Sequence, residues 1–300
     1  MQIDLVITYV DGSNPEWQAN YLKQSEESYP AYFKAHKDTL KYLLRSVDKN
    51  LSFINQIFLV VQNTSEVPDY VDTNKVQVVT HDEFIPAEYL PTFNSNTIET
   101  FLWNIDGLSE HFLYMNDDWL ILNNLTENQF YSADDKALAW FAPRYFENGE
   151  PNGFEEILIR NAELIWGITK DRALEKGYTL DMNHTVRPYF KSLYKECYEK
   201  YWDKIMPTLT RFRSATNYNL YIVDAYQNKL NKGINSLTVT TSFLTNTSDN
   251  STVEKVLSLK SDTLCTHDLS ESPDLWENEL FLNFLKNSFA EVSKYEREVE

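Results

Sequence analysis

At 300 residues, with 42% apolar and 14% aromatic side chains, the chain is long enough for one large α/β domain with a helical subdomain and too apolar to be disordered. Its formal charge of −18 excludes the basic surface that nucleic-acid binding needs and disfavours broad adhesion to anionic lipid. Two cysteines, Cys197 and Cys265, give no disulfide framework and fit a reducing compartment.

The N-terminal run MQIDLVITYV lacks a basic flank and reads as a first strand, not a signal peptide. No stretch approaches the roughly 18 apolar residues that span a bilayer, so the expectation is a cytoplasmic protein. Asp4 to Val10 is a near-continuous β-branched run that ends at Asp11-Gly12-Ser13. That predicts a buried strand with a tight turn and a carboxylate at its tip. First-strand tips of doubly wound sheets meet nucleotides, so Asp11 is a candidate for base, ribose or metal contact. An Asp-Gly turn chosen only for its backbone shape accounts for the same residues.

Asp38 to Lys49 has helical spacing at Leu40, Leu43, Leu44 and Val47, with Asp38 as cap. Short strands are expected at Ile57–Val61 and Val76–Val79, separated by a polar stretch containing Pro68 and followed by His81-Asp82-Glu83. Leu90 to Ile121 organises the rest. It holds a polar loop (Thr92, Asn94, Ser95, Asn96), a helix (Ile98, Phe101, Leu102, Ile105) and a turn at Asp106-Gly107. A buried-looking strand, His111–Met115, then ends in Asn116-Asp117-Asp118. Adjacent carboxylates repel unless a cation or proton intervenes. A hard divalent ion held against nucleotide phosphates supplies the usual reason for them; a solvated turn is the plainer one. Strand, helix and strand alternate in the rhythm of a parallel or mixed sheet.

Ala137–Phe141 reads as a further strand, ended by Pro143. Helices are expected from Glu155 to about Lys176, from Phe190 to Ile205 (ended by Pro207), from Asn217 to Lys229 and from about Asp274 to Lys286. Ser236–Leu244 has strand composition. A soft boundary near 145 separates residues 1–145, a Rossmann-like half, from 146–300, a helical region whose last strand and helix complete the same domain. Asn183 to Tyr189 reads as a Pro-bounded loop between helices that presents His184, a side chain suited to proton transfer. Arg211-Phe212-Arg213-Ser214, if extended, puts two guanidinium groups on one face for phosphate, although solvated arginines flanking a core Phe fit equally. Leu264 to Asp268 is a weaker source of a metal or phosphate ligand.

In combination these segments are specific. The order Tyr9-Val-Asp-Gly-Ser13, Leu90-Pro-Thr-Phe-Asn-Ser-Asn96 with Ile98-Glu99, Gly107-Leu-Ser-Glu-His-Phe112, Asn116-Asp-Asp118, His184 with Arg187-Pro188, Arg211-Phe-Arg-Ser214 and Cys265 to Asp268 resembles the Stealth family of sugar-1-phosphate transferases. That family includes bacterial capsule and cell-surface polysaccharide enzymes and the catalytic part of the lysosomal-enzyme N-acetylglucosamine-1-phosphotransferase. Its four regions fall at about 4–14, 38–121, 184–214 and 262–296. The chain departs from the pattern at Lys34-Ala-His-Lys37, where arginines are usual, and at His267, where Asn is common.

The resemblance implies an α/β fold, a Rossmann-like, GT-A-like mixed sheet with a helical insertion. It implies transfer of hexose-1-phosphate or N-acetylhexosamine-1-phosphate from a UDP-sugar to a glycan hydroxyl, releasing UMP, in bacterial cell-surface polysaccharide synthesis. His184 would deprotonate the acceptor, a covalent phosphohistidine being the less favoured variant. Arg213 would steady the phosphate, with Arg211 the second choice. Asp118, with Asp117 and Asp268, would hold Mg²⁺ or Mn²⁺, and Glu99 would bind the sugar or orient the site. Asp11, Gly12 and Ser13 would meet the nucleotide, and Asn94, Ser95, Asn96 and Arg187 the substrates. Membrane contact, at the inner face, would come through a lipid-linked acceptor. Two rivals remain: a metal-dependent GT-A glycosyltransferase that releases UDP, and a non-catalytic glycan-binding module prompted by seven Trp and nineteen Tyr.

Overall fold

A computed structural model describes residues 1–25, 39–144, 151, 153–171, 179–182, 184–245, 248–267, 275 and 278–297. Four parallel strands form the frame: β1 (Ile3–Thr8), β2 (Ile54–Val61), β3 (Val76–Thr80) and β4 (His111–Asn116). A fifth, β9 (Arg187–Phe190), runs antiparallel to β4 and closes one edge, giving the order β3-β2-β1-β4-β9. The expected Rossmann-like mixed sheet is therefore what the chain forms.

Strand side chains alternate between two cores, as a period of two requires. Ile3, Leu5, Ile7, Ile57, Leu59, Val61, Leu113 and Met115 face one core, with Leu43, Leu44 and Val47 of α2 (Thr39–Asn50) and Phe281 and Leu285 of a C-terminal helix (Glu279–Ser288). Val6, Phe58, Val60, Phe112 and Tyr114 face the other. There they meet Tyr194 and Tyr198 of the helix Lys191–Ile205 and Ile222 and Val223 of the helix Tyr221–Lys229. Both faces are covered, which is why β1 and β2 read as apolar runs and not as alternating ones.

Smaller sheets flank this frame. β5 (Trp119–Ile121) pairs antiparallel with β12 (Thr263–His267), which runs parallel to β11 (Thr241–Thr245). β6 (Ala137–Ala139) pairs with β10 (Gly233–Asn235), and β7 (Phe141–Arg144) with β8 (Thr179–Met182). The helical insertion is present as Gly153–Trp166 together with the two helices of the second core.

Several elements differ from expectation. The helix expected to reach Lys176 stops at Trp166, where Gly167 takes φ 69° and ends it. The segment expected as a loop around Arg187 is instead an edge strand, a position that tolerates Pro188's missing N–H. Tyr131 locks that strand by donating to the carbonyls of Phe112 and Tyr189, both at 2.9 Å. The strand expected at 236–244 is displaced to Thr241–Thr245. Helices α1 (Pro15–Gln24), capped by Asn14, and Asn250–Ser258, capped by Asp249, were not anticipated, nor was the single turn His81–Phe84.

Gly233 fixes the join between the helix Tyr221–Lys229 and β10. A Cβ there would sit 3.0 Å from the backbone N of Asn228 and 3.2 Å from the carbonyl carbon of Gln227. Backbone cannot yield cheaply, so Gly233→Ala should cost about 1–3 kcal/mol in a urea-unfolding experiment. A change within ±0.3 kcal/mol would show that this join can shift freely.

Candidate active site

Thr8 of β1 lies opposite Asn116 of β4, so the turns that follow leave the same edge of the sheet side by side. The Val10 N–H donates to Asp117 Oδ2 at 3.4 Å and ties the two tips together. Asp11 folds its own turn, Oδ1 accepting from the Ser13 N–H at 2.9 Å and from the Ser13 hydroxyl at 2.6 Å. The Gly12 carbonyl accepts from Gln18 Nε2 at 2.9 Å. Glu66, on the loop after β2, was not legible in the sequence. It is 1% exposed, and its two oxygens accept the N–H groups of Asp11 at 3.3 Å and Asn63 at 2.9 Å. Burial pushes its carboxyl up to about 7.

Asn94 caps the short helix Ser95–Thr100 through Oδ1, while its Nδ2 donates to the Thr210 and Phe212 carbonyls and to Asn217 Oδ1 at 2.9–3.2 Å. It is fully buried and acts as a fastener between two loops instead of a substrate contact. Asn96 is 7% exposed; Ser95 is the more open of these residues. Asn94→Ala should cost about 1–2 kcal/mol through the lost cap and the stranded carbonyls. Thermal unfolding of the variant measures it, and an unchanged midpoint would mean the loops hold without the fastener.

The expectation that Arg211 and Arg213 share a face does not hold, because the chain bends at Phe212. That ring stacks on Phe93 (5.6 Å, 11°) and meets Tyr21 edge-on. Arg211 donates to Gln24 Oε1 and the Leu90 carbonyl. Arg213 has a different partner and donates to Ser95 Oγ at 2.7 Å. Its charge also reaches Glu99, which is 4% exposed.

Glu99 accepts from the Tyr114 hydroxyl at 3.0 Å, and Tyr114 shares a 2.9 Å hydrogen bond with Thr8 Oγ1. Burial raises its carboxyl from the ordinary 4.5 to about 7, against the pull of Arg213, Tyr114, the Leu220 N–H and Arg187. A raised folded-state value means the native chain binds more protons than the unfolded chain between those limits. Stability should therefore fall as pH rises from about 4.5 to 7, and Glu99→Gln should flatten that slope; Glu66 adds in the same direction. Urea midpoints at pH 5 and 8 decide this, an identical pH dependence in Glu99→Gln being the adverse result.

Arg187 does not open to a substrate either. It is 2% exposed, paired with Asp224 Oδ1 at 3.3 Å and laid 4.5 Å over the Tyr221 ring. Three residues upstream, His184 meets the edge of Trp119 at 4.8 Å and 87°. Its ring nitrogen, an Asp118 carboxylate oxygen and Cys265 Sγ all lie within 4.8 Å of one another. Asp118 is fixed by β12, its carbonyl accepting the Thr266 N–H at 2.8 Å and the Thr266 hydroxyl at 3.0 Å. Cys265 donates to Asp118 Oδ2 at 3.7 Å. Asp268 and the side chain of His267 lie outside the described residues.

Trp119 in turn lies 6.5 Å from the Tyr114 ring. His184, Trp119, Tyr114 and Glu99 thus follow one another in contact at the carboxyl ends of β1 and β4. Asp11, Asp117 and Asp118 follow the neighbouring tips of β1 and β4, His184 meets Asp118, and Arg213 on Ser95 lies within electrostatic reach of Glu99. Asp117 and Asp118 offer the oxygen donors a hard divalent cation takes. A groove of about 720 Å³ between Gln56, Pro68, Asn74, Gln77 and Arg297 lies along β3 and contains none of these groups. Convergence of titratable groups, not cleft size, is therefore what marks the candidate site.

Residues 33–139 match Stealth protein CR2, conserved region 2. A capsular polysaccharide phosphotransferase of Actinobacillus pleuropneumoniae is 32% identical over 235 residues, 72% of this chain and 62% of the relative. One of Actinobacillus suis is 32% identical over 73% of this chain and 61% of its own, and a receptor polysaccharide phosphotransferase of Streptococcus oralis 31% identical over 64% and 60%. The chain thus spans about three fifths of the length of these relatives. Among solved structures, the galactosyltransferase LgtC with donor and acceptor sugar analogues aligns over 97% of this chain and 98% of its own at 13% identity and TM-score 0.43. The bifunctional WbbM glycosyltransferase aligns over 97% and 50% at 12% identity and TM-score 0.48. The chain thus carries a Stealth conserved region 2 that includes the β4 tip, and its likeness to capsular polysaccharide phosphotransferases runs well beyond that region.

Proposed function

We propose that the chain transfers a sugar-1-phosphate from a UDP-sugar to a hydroxyl of a cell-surface glycan, forming a phosphodiester and releasing UMP. The observation that carries this reading is the meeting of His184 with Asp118 beside the β4 tip, while Glu99, bonded to Tyr114 of the same strand, lies within electrostatic reach of Arg213. The names of the relatives support it, since they are capsular or receptor polysaccharide phosphotransferases.

In this reading the acceptor hydroxyl loses its proton to His184 and its oxygen attacks the phosphorus that bears the sugar. The bond from that phosphorus to the bridging oxygen breaks, and UMP leaves with the electron pair. Negative charge spreads over the phosphoryl oxygens, and Arg213, exposed and already oriented by Ser95, stands to receive it. Mg²⁺ or Mn²⁺ on Asp117 and Asp118 would neutralise the diphosphate. Glu99, ionised above about 7, offers an acceptor to a sugar hydroxyl and a negative charge within reach of Arg213. Glu66 and Asp11 shape the turn that meets the nucleotide. No helix among the described residues is long and apolar enough to cross a membrane; a lipid-linked acceptor would bring the chain to the inner face of one.

A panel of UDP-sugars with Mg²⁺ and a glycan acceptor tests this, scored for the nucleotide released. UMP with a phosphodiester phosphorus signal in the product is expected. UDP release would replace the reading with glycosyl transfer at the anomeric carbon, and absence of any turnover with a folded chain would leave a binding module.

A further inference from the structure

We infer that Asp118, His184 and Cys265 form a binding site for zinc, which shares Asp118 with the hard cation proposed for the two aspartates and differs from it in its nitrogen and sulfur donors. A carboxylate oxygen, an imidazole nitrogen and a sulfur converge here within 4.8 Å of one another. In a tetrahedral zinc site, bonds of about 2.0–2.3 Å leave donor atoms roughly 3.3–3.8 Å apart. Small side-chain rotations therefore close the set around one ion. Three protein ligands with a fourth position open is the arrangement zinc takes where a water or substrate also binds. Magnesium selects oxygen donors and has no use for the thiol.

The three ligands are held by neighbours that cross-link their carriers. Cys265 stands opposite Trp119 in the β12–β5 pairing, next to Asp118 in the chain. Thr266 holds the Asp118 carbonyl at 2.8 Å through its N–H and at 3.0 Å through its hydroxyl. Thr185, which follows His184, bonds Thr263 of the same strand at 2.9 Å. Cys265 is fully buried whereas Asp118 and His184 are half-buried, so an ion reaches the site from their side. The thiol proton now pointing at Asp118 Oδ2 leaves as the Zn–S bond forms, one proton released to solvent per ion bound.

A consequence rests on the proposed function. Zinc would occupy the His184 lone pair that accepts the acceptor's proton, so it would inhibit transfer even with magnesium in excess.

The test begins without substrate. The metal-free chain is titrated with Zn²⁺ by calorimetry and with Co²⁺ by absorption. One ion per chain, proton release and a thiolate-to-cobalt charge-transfer band are expected, and Cys265→Ser or His184→Ala should weaken Zn²⁺ binding roughly tenfold or more. Binding without a thiolate band, equal affinity in Cys265→Ser, or no binding at all overturns the site. The cobalt spectrum uses the unmodified chain, so it stands even if a variant misfolds. A second arm adds Zn²⁺ to turnover at fixed Mg²⁺. A thiolate-ligated ion that leaves turnover untouched would uphold the zinc site and remove His184 from the role of base.

Discussion

Asp224→Ala should lower the stability of the chain by about 3–5 kcal/mol, the cost of leaving a buried charge without its counter-ion. The side chains of Arg187 and Asp224 are 2% and 1% exposed, so water cannot take the place of the lost carboxylate. The Tyr189 hydroxyl, which donates to Asp224 Oδ2 at 2.7 Å, loses its acceptor in the same step. Asp224→Asn keeps a partner for Tyr189 but not the charge, and should recover only a small part of the loss. Replacing both Arg187 and Asp224 with Met and Leu should recover most of it, because the desolvated pair contributes little net stability. Urea unfolding of the two single variants and the double variant gives the coupling directly. Asp224→Ala within 1 kcal/mol of the unmodified chain would show that Arg187 finds water or another anion.

This pair also shows where sequence reasoning stops. The apolar runs at Ile3–Ile7 and Ile57–Val61 announced the sheet because both faces of each strand are buried. The Asn116-Asp117-Asp118 turn singled out a candidate edge because adjacent carboxylates repel unless a cation or proton intervenes. Asp224 and Glu66 gave no such sign. Each is one carboxylate in an unremarked segment, and its meaning comes from a partner that only folding brings near, Arg187 for one and the Asp11 N–H for the other. Cys265 likewise meets His184 only because β12 pairs with β5. The Arg211/Arg213 pairing failed for a local reason: parity along the chain predicts a shared face only while the backbone stays extended, and aromatic stacking at Phe212 bends it. The helix Pro15–Gln24 was a signal left unread, since Asn14-Pro15-Glu16 supplies a cap, a proline at the first turn and an acid beside it.

His184→Ala should reduce kcat for sugar-1-phosphate transfer by roughly 10²–10⁴-fold, the usual contribution of a general base, with the KM for the UDP-sugar little changed. The split follows from placement. His184 stands with Asp118 and Cys265 at the head of β9, whereas the turns assigned to the nucleotide, Asp11 to Ser13, are built by β1 and braced by Glu66. Removing the imidazole should therefore spare donor binding and take away the group proposed to accept the acceptor's proton. Arg213→Ala should behave differently, lowering kcat while also freeing Ser95 and raising the share of protonated Glu99, whose ionised form that guanidinium supports. A covalent phosphohistidine would leave the same kcat deficit, but labelled donor would then mark the unmodified chain and not His184→Ala. The base assignment would fall with a loss under about tenfold, or with a deficit in His184→Ala that lies wholly in donor KM.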